Sequence, residues 1–332
     1  MNHIQSISDF NAIKVLSDPR RLAILRALMV ATATLTHLGQ DMDMHPAKVR
    51  YHLKLLEGAG LVKLARTQIV GNYTEKYYTA TAMAFHVQAS ILPKGAGEDA
   101  IIATGSHDLA LELMAESFCQ NDKTPAMFTL PVGSLDGLIA LRQGLCQVAG
   151  CHLLDPIGGD YNTSYVRHFF PGQPMHIITL AHRQQGLLIE QGNPKGIQNL
   201  DDLKRSDISF INRNRGSGTR LWLDQQLKTL GIGSAEICGY NQAVNTHAQV
   251  AEAVLGGNVD VGLGIFAAAR KHNLDFIPLF EERFDLVVPE EHFASPTLAP
   301  LFDHLNSGAF HQTIESLAGY DPRQSGVEKI IH

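Results

Sequence analysis

The sequence of 332 residues lacks the features that mark secreted and membrane-spanning chains. It contains four cysteines and no apolar run of about 18 residues. The cysteines have neither zinc-binding spacing nor the density of a disulfide framework. The N-terminal stretch Met1-Asn-His-Ile has no basic segment followed by an apolar one. We therefore expect a soluble, cytoplasmic protein without a signal peptide or a membrane span.

Sequence patterns of common catalytic sites are also missing. There is no nucleophile-elbow pattern, no phosphate-loop pattern and no paired metal motif. Ser106, His107 and Asp108 are consecutive, but a catalytic triad brings together residues from separated positions. We expect no enzymatic activity, no catalytic residue, no metal and no cofactor, and keep an enzyme or a storage protein as the less favoured alternative.

Positive charge is concentrated near the N-terminus. Residues 1–90 carry ten Lys or Arg and six Asp or Glu, whereas the whole chain has a formal net charge of −6. A basic segment on an acidic chain is typical of binding to a polyanion by that segment alone, although a solvated surface with scattered lysines would give the same balance.

The first 90 residues show the pattern of several helices followed by a hairpin. Apolar spacing and the helix start Asp18-Pro19 predict helices at 6–16, 19–30, 34–42 and 46–57. Two β-rich runs, 61–70 and 73–81, flank Gly71-Asn72, a typical hairpin turn. This order predicts a winged helix-turn-helix domain.

Three stretches within this region resemble the arsenic-repressor-like family of bacterial regulators. They are Leu16 to Leu25, Val49 to Val62 and Lys76 to Thr79. The resemblance implies a DNA-binding domain over residues 1–90, double-stranded DNA as a partner, and a homodimer that reads two half-sites.

The fourth predicted helix would place Val49, Leu53 and Leu56 inward. The candidate DNA-binding residues are then those on its outer face and on the wing: His45, Lys48, Arg50, Tyr51, Lys54, Asn72 and Lys76. Their side chains can donate to phosphates or base edges, and which of them read bases stays open.

The third predicted helix departs from that family, because it has no cysteine for metal binding. His37, Asp41, Asp43 and His45 could form a metal set, but their spacing also fits a solvated helix face. We infer that sensing resides in the remainder of the chain.

After a linker predicted at 91–99, strand-like and helical runs alternate through residues 100–332. The predicted strands are 100–104, 126–131, 148–154, 176–181, 186–190, 208–211, 259–263, 275–280 and 284–288. The predicted helices are 107–118, 134–144, 217–230, 246–256, 264–272, 297–306 and 309–318. This alternation predicts an α/β fold with parallel, doubly wound sheets.

The stretch Asn212 to Arg220 runs from a strand through a glycine-rich turn into a helix. Free N–H groups and the helix dipole at such a helix start favour an anion. An ordinary serine cap would give the same residues, so both interpretations stay open. Arg220, inside the helix, is expected to pair with Asp224.

Several separate stretches resemble the periplasmic-binding-protein-like domain of bacteria and archaea, which occurs fused to DNA-binding modules or molybdopterin-biosynthesis proteins. Among them are 103–108, 133–137, 183–187, 212–220 and 260–264. The resemblance implies a two-lobed (type II) domain with a ligand cleft and a link to molybdate or tungstate. The candidate ligand-binding residues are Thr104, Ser106, His107, Ser134, Arg183, Arg215, Gly216, Ser217, Gly218, Thr219 and Thr246.

Together these features predict a ligand-responsive transcription regulator that senses a small oxyanion, with molybdate or tungstate first. A small organic anion, such as a sulfonate or a carboxylate, is the open alternative. Whether the ligand strengthens or weakens DNA binding also stays open.

Overall fold

The computed structural model describes residues 2–7, 9–70, 73–87, 91, 100–121, 124–155 and 157–332. Contacts divide the chain into two compact units, Met1–Leu92 and Pro93–His332. The predicted linker at 91–99, apart from Ile91, lies outside the described residues, as does the hairpin turn Gly71-Asn72. No helix in the described ranges is long and apolar enough to cross a membrane.

The N-terminal unit has the predicted winged helix-turn-helix order. Its elements are β1 (Asn2–Ile7), α1 (Phe10–Leu16), α2 (Pro19–Val30), α3 (Leu35–Asp41), α4 (Pro46–Gly58), β2 (Val62–Val70), β3 (Tyr73–Ala80) and β4 (Ala82–Val87). Strands β2 and β3 pair antiparallel to form the wing. Val49, Leu53 and Leu56 of α4 are buried, as the apolar spacing predicted.

The start of the first helix was predicted wrongly. Residues 2–7 form a strand that pairs parallel with β4, and α1 begins only after Asp9, whose carboxylate accepts from the N–H groups of Asn11 and Ala12. The buried Ile7 anchors the strand in the core of this unit. A side-chain cap at Asp9 stops a helix from extending backwards.

The C-terminal unit alternates strands and helices as predicted. Its strands are β5 (Ile101–Gly105), β6 (Met127–Pro131), β7 (Val148–Cys151), β8 (Met175–Ile189), β9 (Phe210–Arg213), β10 (Ala243–Val244), β11 (Val261–Ile265), β12 (Asp275–Pro289), β13 (Tyr320–Asp321) and β14 (Glu328–Ile331). Its helices are α5 (Leu109–Cys119), α6 (Ser134–Arg142), α7 (Thr163–Phe169), α8 (Gly218–Leu230), α9 (His247–Leu255), α10 (Phe266–Lys271), α11 (Glu290–Phe293), α12 (Ala299–Leu305) and α13 (Gly308–Ser316).

Two long strands organise this unit. The four strands predicted at 176–181, 186–190, 275–280 and 284–288 are in fact two 15-residue strands, β8 and β12. They pair antiparallel along their lengths, so the sheet is mixed and not wholly parallel as predicted. Polar residues in the middle of each strand interrupt the apolar pattern, and this made one strand look like two.

The strands run in the order β10-β9-β11-β8-β12-β7-β5-β6. We call the part built on β5, β6 and β7 lobe A, and the part built on β9, β10 and β11 lobe B. Strands β8 and β12 pass through both lobes, with register shifts between Pro278 and Phe280 and between Phe284 and Asp285. Such irregularities bend a strand, so the segment between them lies where one lobe meets the other.

A pair of stacked aromatic side chains lies beside the first of these irregularities. Trp222 of α8 stacks on Phe280 of β12, with ring centroids 3.8 Å apart. Trp222 is the single tryptophan of the chain.

Candidate ligand-binding and DNA-binding sites

Buried polar side chains converge between the two lobes, although the interior of a folded domain is mostly apolar. We call this group the interlobe cluster: Asp108, His152, Arg183, Gln185, Arg213, Thr219, His247 and Glu282.

Arg183 lies at the centre of the cluster. It is paired in register with Glu282 on the neighbouring long strand. Its Nε donates to Glu282 Oε1 and its Nη1 donates to Asp108 Oδ2, both at 2.6 Å. The guanidinium stacks over the Phe284 ring, 4.5 Å from the centroid. Burial would lower the pKa of Arg183, but the charges of the two carboxylates outweigh burial and raise it.

Glu282 is fully ionised because donors surround it. His152 Nδ1 lies 2.7 Å from Glu282 Oε2, and Gln185 Nε2 donates to Oε1 at 2.6 Å and to Thr219 Oγ1 at 2.9 Å. Burial opposes this ionisation, but His152 and Arg183 bring the pKa of Glu282 down to about 2. Burial lowers the pKa of His152 in spite of the adjacent carboxylate, so its imidazole is neutral near pH 7.

Arg213 is a buried cation without a carboxylate partner among the described residues. Its Nη1 lies 2.9 Å from the ring nitrogens of His247, and its Nη2 donates to the carbonyl oxygen of Asn245 at 2.8 Å. Burial, and next the positive charge of Arg183, lower the pKa of Arg213 to about 9. A guanidinium still carries its charge at pH 7, and burying that charge without a counter-ion is costly.

Several buried atoms in this region have no hydrogen-bond partner among the described residues. They are His152 Nε2, Arg183 Nη2, Arg213 Nε and Asn214 Oδ1. Buried polar groups in folded proteins are normally paired. Two N–H donors without partners, Arg213 Nε and Arg183 Nη2, beside a buried charge that lacks a counter-ion are therefore the arrangement expected of a site that receives an anion.

Helix starts from both lobes face the same region. Lobe A contributes α6, which begins at Ser134 without a side-chain cap; Ser134 Oγ lies 2.9 Å from Ser106 Oγ. Lobe B contributes α8, whose N-cap Ser217 accepts from the N–H of Arg220 at 3.2 Å. Helix N-termini carry free N–H groups and partial positive charge.

The two lobes are in direct contact here. Asn214 Nδ2 donates to the carbonyl oxygen of Val132 at 2.8 Å, and the N–H of Leu135 donates to the carbonyl oxygen of Gly216 at 3.1 Å. A Cβ placed on Gly218 would lie 2.2 Å from the carbonyl oxygen of His152. The structure therefore has the lobes closed on each other, and only glycine fits at 218 in this state.

Most ligand-binding candidates predicted from the sequence lie at this junction. They are Ser106, His107, Ser134, Arg183, Gly216, Ser217, Gly218 and Thr219. Ser106 does not cap α5, since Asp108 does so by accepting from the N–H of Leu111. The predicted pair of Arg220 with Asp224 is confirmed at 2.9 Å.

Three other candidates do not point into the cluster. Arg215 is exposed, because the chain turns outward after β9 and leaves Arg213 as the buried arginine of this motif. Thr104 Oγ1 lies 3.1 Å from Cys146 Sγ, inside lobe A. Thr246 caps α9 by accepting from the N–H of Gln249.

Sequence reasoning missed five residues of this region. They are His152, Gln185, Arg213, Asn214 and Glu282. Arg213 and Asn214 belong to the glycine-rich motif itself, and strand alternation could have singled out Arg213. Glu282 carried no signal, because its importance comes from its register opposite Arg183.

The predicted DNA-reading face is exposed on α4. His45, Lys48, Arg50, Tyr51 and Lys54 are exposed around it, and so is Lys76 on the wing; Asn72 lies outside the described residues. The residues considered as a metal set, including His37 and Asp41, are exposed too. The described residues contain no group of three or more His, Cys, Asp or Glu placed to hold a metal ion.

Comparison with known proteins agrees with this division into two domains. A family model described as "PBP superfamily domain" matches residues 115–306, and a model described as "Helix-turn-helix domain" matches residues 16–65. Both are domains of binding types and not of catalytic types.

Two curated relatives cover parts of the chain. "Uncharacterized protein YvgK" of Bacillus subtilis is 40% identical over 194 residues, 58% of this chain and 62% of that protein, so less than two thirds of the relative is spanned. "Uncharacterized protein in ferredoxin 2Fe-2S gene 5'region" of Clostridium pasteurianum is 36% identical over 105 residues, 31% of this chain and 93% of that protein.

A solved structure shares the fold of the C-terminal unit. A putative phosphate ABC transporter substrate-binding protein with bound phosphate, from Clostridium perfringens, aligns with a TM-score of 0.50 and 16% identity over 69% of this chain and 99% of that chain. At this identity the likeness shows the fold alone.

The contact of Gly218 with His152 gives a test of lobe closure. We expect Gly218→Ala to lower the affinity for molybdate at least tenfold in calorimetric titration, because the added Cβ holds the lobes apart. The free energy of unfolding should change by less than about 1 kcal/mol, since alanine suits a first helical turn.

The control lies at the other end of the same helix. Gly231 has φ 70° and open space around it. Gly231→Ala should cost about 1 kcal/mol of stability and leave affinity unchanged. Wild-type affinity in the Gly218 variant would show that closure is not needed for binding.

The exposed face of α4 gives a test of DNA binding. Arg50→Ala with Lys54→Ala should weaken binding to duplex DNA and make the slope of log affinity against log salt shallower by about two, because two fewer phosphates release their counterions. Fluorescence anisotropy with labelled duplex measures both quantities.

A matched control removes the same charge elsewhere. Lys228→Ala with Lys271→Ala changes two exposed lysines of the C-terminal unit and should leave DNA affinity unchanged. Equal loss in both double variants would mean that overall charge, and not α4, governs the binding.

Proposed function

Because the chain belongs to the PBP superfamily domain family and carries an N-terminal helix-turn-helix domain, we propose that it is a cytoplasmic transcription regulator that binds operator DNA as a homodimer. Its C-terminal domain senses a small oxyanion, with molybdate or tungstate as the first candidates. The ligand is bound between the two lobes, and its binding shifts the balance between their open and closed arrangements.

The observation that carries the choice of an anion is the state of Arg213. A fully buried guanidinium has only neutral partners, and its pKa is lowered to about 9. An anion beside it would supply the missing counter-charge. The N–H groups at Arg213 Nε and Arg183 Nη2, which have no partner among the described residues, would donate hydrogen bonds to it.

The carboxylates of the cluster support an anion that brings no proton. Glu282 accepts through both oxygens, and Asp108 accepts from Leu111, Arg183 and Tyr320. Each of their four oxygens therefore already accepts at least one hydrogen bond within the protein, and an anion without an O–H group needs no further acceptor from them. Molybdate and tungstate are fully deprotonated at neutral pH, whereas phosphate carries a proton.

One observation favours the second candidate, a small organic anion such as a sulfonate or a carboxylate. The cluster holds two buried arginines, Arg183 and Arg213, and two buried carboxylates, Asp108 and Glu282. With the histidines neutral, these charges cancel, and a ligand with a single negative charge disturbs the balance less than a dianion does.

The test is a pair of neighbouring arginine variants. We expect Arg213→Met to lower oxyanion affinity at least tenfold, because one charge-assisted hydrogen bond contributes about 1.5–3 kcal/mol and a tenfold change needs about 1.4. The ligand-free protein should be as stable as wild type or more stable, because an uncompensated buried charge has been removed. Arg215→Met, on the exposed neighbour, should change neither quantity.

The ligand is identified by titrating wild type with molybdate, tungstate, sulfate, phosphate, a sulfonate and a carboxylate. A ligand at about 100 times its Kd stabilises the protein by about 2.7 kcal/mol, which melting curves detect. Stabilisation only by the sulfonate or the carboxylate would replace the oxyanion with the second candidate. Full affinity in Arg213→Met together with loss in Arg215→Met would remove the site from the cluster.

A further inference from the structure

His152 is the one histidine of the interlobe cluster that is tied to a carboxylate on one side and unpartnered on the other. Its side chain is fully buried, its Nδ1 lies 2.7 Å from Glu282 Oε2, and its Nε2 has no partner among the described residues. Because Glu282 is ionised, Nδ1 carries the hydrogen and donates it. In the neutral ring Nε2 then holds a lone pair and no hydrogen.

A lone pair is the wrong group to present to an oxyanion. A fully deprotonated oxyanion has only acceptor oxygens, so it repels a second lone pair and gains from an N–H donor. A proton on Nε2 would turn the ring into a donor on both sides, towards Glu282 through Nδ1 and towards the ligand through Nε2.

We propose that binding of the oxyanion takes up one proton from solvent onto His152 Nε2, so that the sensor responds to the anion and the proton together. This inference rests on the proposed function, since it requires an oxyanion in the cluster. The proton balance is simple: the free site plus a dianion plus one proton gives the complex, with an imidazolium and a bound dianion.

The groups that face His152 come from several elements, and their charges explain why the proton arrives only with the ligand. Glu282 on β12 favours the imidazolium, whereas Arg183 on β8 and Arg213 on β9 oppose it. His247 on α9 is neutral, because burial and the same arginines lower its pKa well below the usual value. A dianion beside the two arginines offsets their charge.

The sign of the pH dependence follows from this balance. Burial lowers the pKa of His152 in the free protein, and the bound anion raises it. A group whose pKa rises on binding strengthens binding at low pH and loses that contribution as the pH rises. Affinity for the anion should therefore be constant below the pKa that His152 has in the free protein. It should fall by up to tenfold per pH unit between that pKa and the pKa of His152 in the complex, and level off above the second of these.

The experiment is calorimetric titration of the full chain with molybdate, in buffers of different ionisation enthalpy at one pH. Molybdate has no proton to exchange near neutral pH, so any proton taken up binds to the protein. We expect close to one proton per molybdate for wild type, and affinity that falls as the pH rises from the lowered pKa of His152 in the free protein towards its raised pKa in the complex.

Two variants locate the proton. His152→Asn keeps a donor that reaches Glu282 and removes Nε2, so it should bind molybdate more weakly, without proton uptake and with a flat pH profile. His182→Asn changes the adjacent histidine beside Arg183 on β8, which is half-exposed and bonded to Gln324; it should keep the uptake and the slope of wild type.

The outcomes separate this inference from the function on which it rests. Molybdate binding by wild type without proton uptake would overturn the inference alone, and so would full uptake in His152→Asn. Failure of wild type to bind any of the oxyanions would overturn the oxyanion function itself. A response to phosphate only, without uptake, would overturn the inference and replace molybdate and tungstate with phosphate, because the lone pair of Nε2 would then accept the ligand's own O–H. If His152→Asn does not fold, the wild-type titration still decides the matter.

Discussion

The pairing of Arg183 with Glu282 is the contact on which the ligand-sensing unit depends. It joins the two strands that pass through both lobes, at the register position between their two irregularities. Asp108, which caps the first helix of lobe A, accepts a hydrogen bond from the same guanidinium. Gln185 donates to both the Glu282 carboxylate and the hydroxyl of Thr219 in lobe B. This buried ion pair thus connects the hinge to both walls of the cleft, and removal of Arg183 would leave both Glu282 and Asp108 without the guanidinium that pairs with them.

Arg213 and Arg183 differ in whether the protein itself supplies a counter-charge for the buried guanidinium. Arg183 has two carboxylate partners within the protein, so its charge is balanced without a ligand. Arg213 has neutral partners only. Buried charge without a partner is destabilising, and proteins keep it where function requires it. In the closed arrangement Arg213 therefore lacks a counter-ion, which an anion between the lobes would supply, and this favours closure in the presence of such an anion.

The sequence predicted the order of elements well and the connections in space less well. The winged helix, the helix starts at Ser134 and Ser217 and the pair of Arg220 with Asp224 all depend on local patterns, and all are present. The continuity of β8 and β12 was not predictable, because their polar centres are stabilised by partners distant in the chain. Arg215 was preferred to Arg213 for the same reason: a local motif shows which arginines are near a turn, and only the strand direction shows which one is buried.

The stacking of Trp222 on Phe280 has a practical consequence. Phe280 lies beside the irregularity at which β12 bends between the lobes, and no other indole exists in the chain. Fluorescence excited at the long-wavelength end of tryptophan absorption therefore reports on this one place, without labels and without contributions from the DNA-binding domain. Trp222 is thus a built-in fluorescence probe at the bend where one lobe meets the other.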